Sequence, residues 1–142
     1  MTRLSFYLIG VSASFLFSLL CFAEPQMQRQ TDLESLSQSL YEETQDLYSS
    51  ASIDAWGGDT NQQRALERID DLLGDISRLK AAIRIEPNDP AKSFKEFQNV
   101  QGTMFWVEGD LQMANFSFGT MTEYEDVEAV YNDLLREYGF QP

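Results

Sequence analysis

The sequence contains no histidine and a single cysteine, Cys21. Without histidine there is no imidazole metal ligand, no Ser-His-Asp triad and no Cys-His nucleophile pair. One cysteine forms no internal disulfide and no thiolate metal site, and no C-x-x-C-H haem attachment is present. Acid–base chemistry is left to carboxylates, lysine, tyrosine and arginine. Basic residues are also scarce. Ten Lys and Arg stand against 23 Asp and Glu, for a formal charge of −13. Simple repulsion disfavours nucleic acid and anionic membrane surfaces, while a basic protein or divalent cations suit such a chain. The sequence also lacks a Gly-rich phosphate cradle, an internal repeat and a long low-complexity tract.

What is present begins with Arg3, followed by an apolar run from Leu4 to Phe22 that Ser5, Gly10, Ser12, Ser14 and Ser18 dilute. Cys21-Phe22-Ala23 then precede Glu24-Pro25. This is the layout of a secretory signal peptide over 1–23, cleaved after Ala23. Retained, the same segment is long enough to anchor the chain, since about 20 helical residues cross a bilayer. Arg3 holds the N-terminus inside in either case, so the body is expected outside the cytoplasm, periplasmic or secreted. Bulky Leu20 argues against lipoprotein processing at Cys21. Cleavage removes Arg3 and Cys21, leaving about one domain's length with neither Cys nor His and a charge one unit below −13. Residues 24–30 are polar and aperiodic and read as a flexible tether, with a helical domain over 31–142.

Four segments in that domain open with helix-start signals. Thr31-Asp32-Leu33-Glu34 is a capping box ahead of Leu33, Leu36, Leu40, Leu47 and Ala51. That helix ends near Ile53, before Ala55-Trp56-Gly57-Gly58-Asp59. Thr60-x-x-Gln63 opens a second, with Leu66, Ile69, Leu73, Ile76 and Ile83 as its seam and Ala65, Leu72 and Leu79 beside it. Pro87 and Pro90 end it. The third starts with Asp89 as cap and Pro90 as first helical residue, and carries Phe94, Phe97, Val100, Met104, Val107, Leu111 and Ala114. Gly102 and Gly109 weaken it by about 1 kcal/mol each relative to alanine. Over residues 103–118 a β-hairpin around Gly109 competes with the helix, which gives an α+β alternative. Asn115 to Gly119 reads as a loop with both phenylalanines tucked inward. The fourth helix opens at Thr120 or Thr122 and carries Tyr124, Val127, Tyr131, Leu134 and Tyr138, with Gly139 as C-cap. The expected fold is an all-α, antiparallel up-down four-helix bundle.

Acidic clusters are read as solvated faces. Glu67, Asp71 and Asp75 line one face of the second helix, with Arg64, Arg68 and Arg78 at neutralising spacings. Glu42, Glu43 and Asp46, and Glu123, Glu125, Asp126 and Glu128, lack the spacing of a calcium loop. Bundle di-iron and haem sites need histidine, so neither a metal nor a cofactor is expected. Asn115-Phe116-Ser117 matches the glycosylation sequon, a pattern that chance supplies readily.

The aromatic residues are the remaining candidates. Tyr124, Tyr131 and Tyr138 form a stripe expected to sit in the core with hydroxyls at its rim. Phe105 and Trp106 point about 100° apart on a helix, so one of them is expected at the core edge. Trp56, in the Gly-rich connection, is a candidate exposed anchor. The sequence therefore points to a non-enzymatic exported domain acting by protein–protein contact, as an adaptor, inhibitor or accessory subunit of a cell-envelope system. The alternative is a carrier or sensor of a small apolar ligand within the bundle.

Overall fold

The computed structural model describes the backbone of residues 12–85 and 90–140, and the side chains of residues 32–85 and 91–140. Among these residues there are four helices and no strand: α1 (Ser12–Asp54), α2 (Thr60–Ile85), α3 (Pro90–Met113) and α4 (Phe118–Glu137). They pack as a helical bundle. Leu33, Leu40, Leu47 and Ala51 of α1 are buried, as are Ala65, Ile69, Leu72, Ile76, Leu79 and Ile83 of α2. Phe97, Val100, Met104, Val107 and Leu111 of α3 join them, with Tyr124, Val127, Leu134 and Leu135 of α4. Spacings of three and four put each set on one stripe, and burying each large side chain contributes about 1.5–3 kcal/mol.

The helix prevails over the hairpin at Gly109. Met104, Val107 and Leu111 all enter the core at helical spacing, and a turn at Gly109 would divide that seam. Pro90 is the first residue of α3, as its missing N–H favours, while Asp89 lies outside the described residues. Gly139 ends α4 at φ +84°, with Gly139 N–H donating to Arg136 O and Phe140 N–H to Leu135 O. These are the two bonds of a Schellman cap.

Three boundaries differ from the sequence expectation. The α1 backbone is continuous from Ser12, so Thr31 is an interior position. The preceding turn supplies carbonyls for the amides that the Thr31 box would otherwise cap. At α2 the cap is Asp59, one residue earlier than expected. Its Oδ1 accepts from Asn61 N–H at 2.9 Å and Gln62 N–H at 3.0 Å, and Gln62 Oε1 accepts from Asp59 N–H. The box is thus Asp59-x-x-Gln62, because a carboxylate next to the glycines reaches these amides first. At α4 the cap is Ser117, whose Oγ accepts from Thr120 N–H, and Thr120 is buried behind it.

α2 packs against both α1 and α3, and α1 against α4. The α3 and α4 backbones stay farther apart than these pairs, and at the C-terminal end of α4 rings pack across to α3. Phe97 stacks on Tyr138 at 4.1 Å and Phe94 on Phe140 at 6.0 Å.

Candidate partner-binding surface

The connections α1–α2 and α3–α4 meet at one end of the bundle, where exposed apolar side chains stand on a tied frame. In the first, Ala55 is buried and its N–H donates to Ala51 O, while Gly57 adopts φ +74°. That conformation suits glycine and turns the chain outward at Trp56. In the second, Asp54 at the end of α1 reaches across to the start of α4. Its Oδ2 accepts from Ser117 N–H at 2.8 Å and from Thr120 Oγ1 at 2.6 Å. These bonds, Thr120's first, hold the Asp54 carboxyl below its usual range, as expected for a carboxylate at a helix N-terminus. Gln62 Nε2 donates to Asn115 O at 2.8 Å and Asn61 Nδ2 to Met113 O at 3.4 Å. On this frame Trp56 is 91% exposed and Phe118 88%, with Ile53 and Met113 also exposed.

Phe105 and Trp106 lie on the outer side of α3, 68% and 57% exposed, with rings edge to face at 5.5 Å. The expectation that one of them edges the core is corrected. The core seam lies at Met104 and Val107, and both neighbouring rings fall outside it. Phe118 is corrected too. It was expected inward, but Ser117 caps α4 and leaves Phe118 as a first-turn residue off the Thr120–Tyr124–Val127 seam. Phe116 alone of the pair packs against the core.

The tyrosines sit apart from these anchors. Tyr124 is buried, and Tyr131 and Tyr138 are half-buried against the core. Burial pushes all three phenols up, helped at Tyr124 by Glu128 and Glu108. The Tyr138 and Ser93 hydroxyls share a hydrogen bond at 2.8 Å. Their rings are spent on packing. The described surface also carries an open cavity of 320 Å³, lined by Asp32, Ser35, Leu36, Asp133, Arg136 and Glu137. Its lining is mostly charged and does not include the tyrosine stripe.

The acidic clusters divide into two kinds. Asp75 is not a solvated residue of an exposed face. It is buried between α2 and α3, accepts from Thr103 Oγ1 at 2.5 Å and is paired with Arg78. Arg64 likewise crosses to Asp110 of α3 at 2.8 Å, with Arg68 at 3.7 Å. Only Arg68 and Asp71 make an exposed pair along the helix as expected. Across α1 and α4, by contrast, Glu43, Asp46 and Glu123 bring carboxylate oxygens within 4.8 Å of one another. Burial, then the charges of Asp126, Asp46, Glu123 and Glu42, raise the Glu43 carboxyl above its ordinary value. The arrangement could contact a cation, but nothing at it except carboxylates points to one.

The sequence missed Ile53, Met113, Phe118 and Asp54. Ser117-x-x-Thr120 was the available signal for Phe118, because a serine cap fixes which residue opens the helix. Among the described residues no helix is long and apolar enough to cross a membrane. Comparison with protein-family models, with curated proteins and with solved structures finds no match for the chain.

Proposed function

We propose that this chain is an exported, non-enzymatic helical domain that acts by protein–protein contact, as an adaptor, inhibitor or accessory subunit of a cell-envelope system. Its body is an antiparallel up-down four-helix bundle that follows a removable segment over 1–23. The observation that carries this reading is the loop end. Trp56, in the α1–α2 connection, and Phe118, in the first turn of α4, project large apolar surface from an end of the bundle where Asp54 of α1 and Gln62 of α2 hold the α3–α4 connection by hydrogen bonds. Aromatic anchors on a pre-organised frame lose little entropy on docking, which is how binding hot spots work. The acidic α1 and α4 surfaces favour a basic partner by steering its approach.

The test is a two-salt pull-down from envelope extract with the native chain and with Trp56→Ala/Phe118→Ala. A partner retained by the native chain and lost with the double variant supports the reading. Equal recovery with both, or no partner at either salt, overturns it. Intact mass of the exported protein checks the processing expected at Ala23. Both tryptophans should emit as water-exposed indoles, and a buried-type emission from Trp56 would remove the anchor.

A further inference from the structure

Met113 differs from Met104 and Met121, the other methionines whose side chains are described. Met104 lies in the α3 seam and is 4% exposed, and Met121 is partly buried against the core. Met113 closes α3 and is 68% exposed. Its sulfur faces α2, where Arg64 Nη2 lies 3.8 Å from Met113 Sδ. Asn61, on the same turn of α2, donates from Nδ2 to Met113 O at 3.4 Å and ties the backbone at this point.

Arg64 is well bound at one edge and weakly bound at the other. Its Nε donates to Asp110 Oδ1 at 2.8 Å. Its Nη2 meets two weaker acceptors, Asn61 Oδ1 at 3.4 Å and the Met113 sulfur. A thioether accepts hydrogen bonds poorly. Asp110 therefore holds a guanidinium whose free edge is aimed at a sulfur that makes little use of it. An oxygen added to that sulfur is a strong acceptor, and its charged donor is already in place.

The reaction that adds this oxygen is a two-electron oxidation by a peroxide. A sulfur lone pair attacks one peroxide oxygen, the O–O bond breaks and an S–O bond forms. The departing hydroxide takes the proton of the transferred oxygen and leaves as water. The sulfur loses two electrons and the peroxide gains them. At Met104 the same step would set a polar oxygen in the apolar seam, and burial withholds that sulfur from solvent. Met113 needs no opening of the bundle.

We infer that Met113 is an oxidation site, at which a peroxide forms a sulfoxide that accepts a hydrogen bond from Arg64. The product leaves the core intact and is open to enzymatic reduction. It also makes one apolar side chain of the loop end polar. The chemistry holds whether or not the loop end docks a partner.

The test is graded hydrogen peroxide on the whole chain as its host processes it, followed by peptide mapping by mass. Met113 should be converted about tenfold or more faster than Met104, and ahead of Met121. The chain oxidised at Met113 should melt about one to two degrees higher than the untreated chain. Its Arg64 guanidinium protons should exchange more slowly with water by NMR. Methionine sulfoxide reductase should reverse both changes. Met113→Leu, at an exposed position, should show neither. Arg64→Gln should still be oxidised at Met113 but without the rise in melting temperature, each chain being compared with its own untreated form. Met104 or Met121 reacting as fast as Met113 would overturn the inference. So would a Met113 sulfoxide that leaves melting and Arg64 exchange unchanged, or an equal rise in Arg64→Gln.

Discussion

The two helix pairs α1·α4 and α2·α3 use the same residue type in opposite ways. From Asp32 onward α1 carries Asp32, Glu34, Glu42, Glu43, Asp46 and Asp54 with no Lys or Arg, and α4 sets only Arg136 against its acids. α2 holds Arg64, Arg68, Arg78, Lys80 and Arg84. Between α2 and α3 the carboxylates meet donors: Asp75 meets Thr103 and Arg78, Asp110 meets Arg64, and Glu96 lies 4.0 Å from Arg78. Between α1 and α4 they meet one another at Glu43, Asp46 and Glu123. Asp54 on that side finds donors at the start of α4, and Glu34 and Asp133 meet Arg84 and Arg136 at exposed positions. Charge therefore cross-links one pair and strains the other, and α1·α4 must rely on its apolar seam. A net charge of −13 describes neither interface.

The largest effect should come from the rings that space α3 from α4. Phe97 is fully buried and stacked on Tyr138. Phe97→Ala removes that stack and leaves a cavity that two widely separated backbones can close only in part. A loss of about 3–5 kcal/mol in chemical denaturation is expected. A loss under 1 kcal/mol would mean that the rings line an adaptable gap. Next comes Asp75. Asp75→Ala strands the Thr103 hydroxyl and part of Arg78 at the α2·α3 interface, at an expected cost of about 1–3 kcal/mol. Asp75→Asn should cost less, because the amide oxygen still accepts from Thr103. If both variants were neutral, the charged ties of this pair would add nothing to its packing.

Helical periodicity made most of this architecture legible. Val100, Met104, Val107 and Leu111 are the clearest example: their spacing favours the helix over the hairpin at Gly109, and their burial in one seam decides it. Cap positions were off by a residue or more because several polar residues compete at each end. Asp59 wins over Thr60, and Ser117 over Thr120, on reach to the first free amides. The burial of Asp75 was not legible, because its partner Thr103 is 28 residues away and nothing local distinguishes it from Asp71. The exposed anchors were half legible. Trp56 was marked by its glycines. Phe118 depended on the cap register, and the exposure of both Phe105 and Trp106 depended on where the α3 seam is centred.

Asp54 offers the third test. Its carboxylate serves a helix start 63 residues away through Ser117 and Thr120. Asp54→Ala should cost about 0.5–2 kcal/mol, the range for losing an N-cap. It should also loosen the loop end, weakening partner retention more than the stability loss alone predicts. Asp54→Asn, which can still accept both bonds, should restore most of the retention. If Asp54→Ala keeps full retention, the two connections do not need to be tied.

The smallest effect has the opposite sign and is the sharpest contrast between the pairs. Glu43 is held above its ordinary pKa by burial and by the acids around it, so the folded state binds its proton more readily than the unfolded chain does. The stability linked to that proton is fully present below the ordinary glutamate range, and is lost as pH rises through the elevated value. Asp54 runs the other way, since its pKa is lowered. Its contribution holds above the ordinary aspartate range and disappears only as pH falls through the depressed value. Melting temperature should therefore rise as the solution is taken from neutral pH into the upper carboxylate range, and turn down at lower pH. Glu43→Gln should raise the neutral-pH melting temperature by a degree or two and flatten the rise. Added monovalent salt should do part of the same work in the native chain and less in the variant, because the group is only partly buried and its exposed neighbour Asp46 is open to screening. A Glu43→Gln variant that melts below the native chain would show that α1·α4 carries no like-charge strain, and the contrast with α2·α3 would then rest on Asp75 and Asp110 alone.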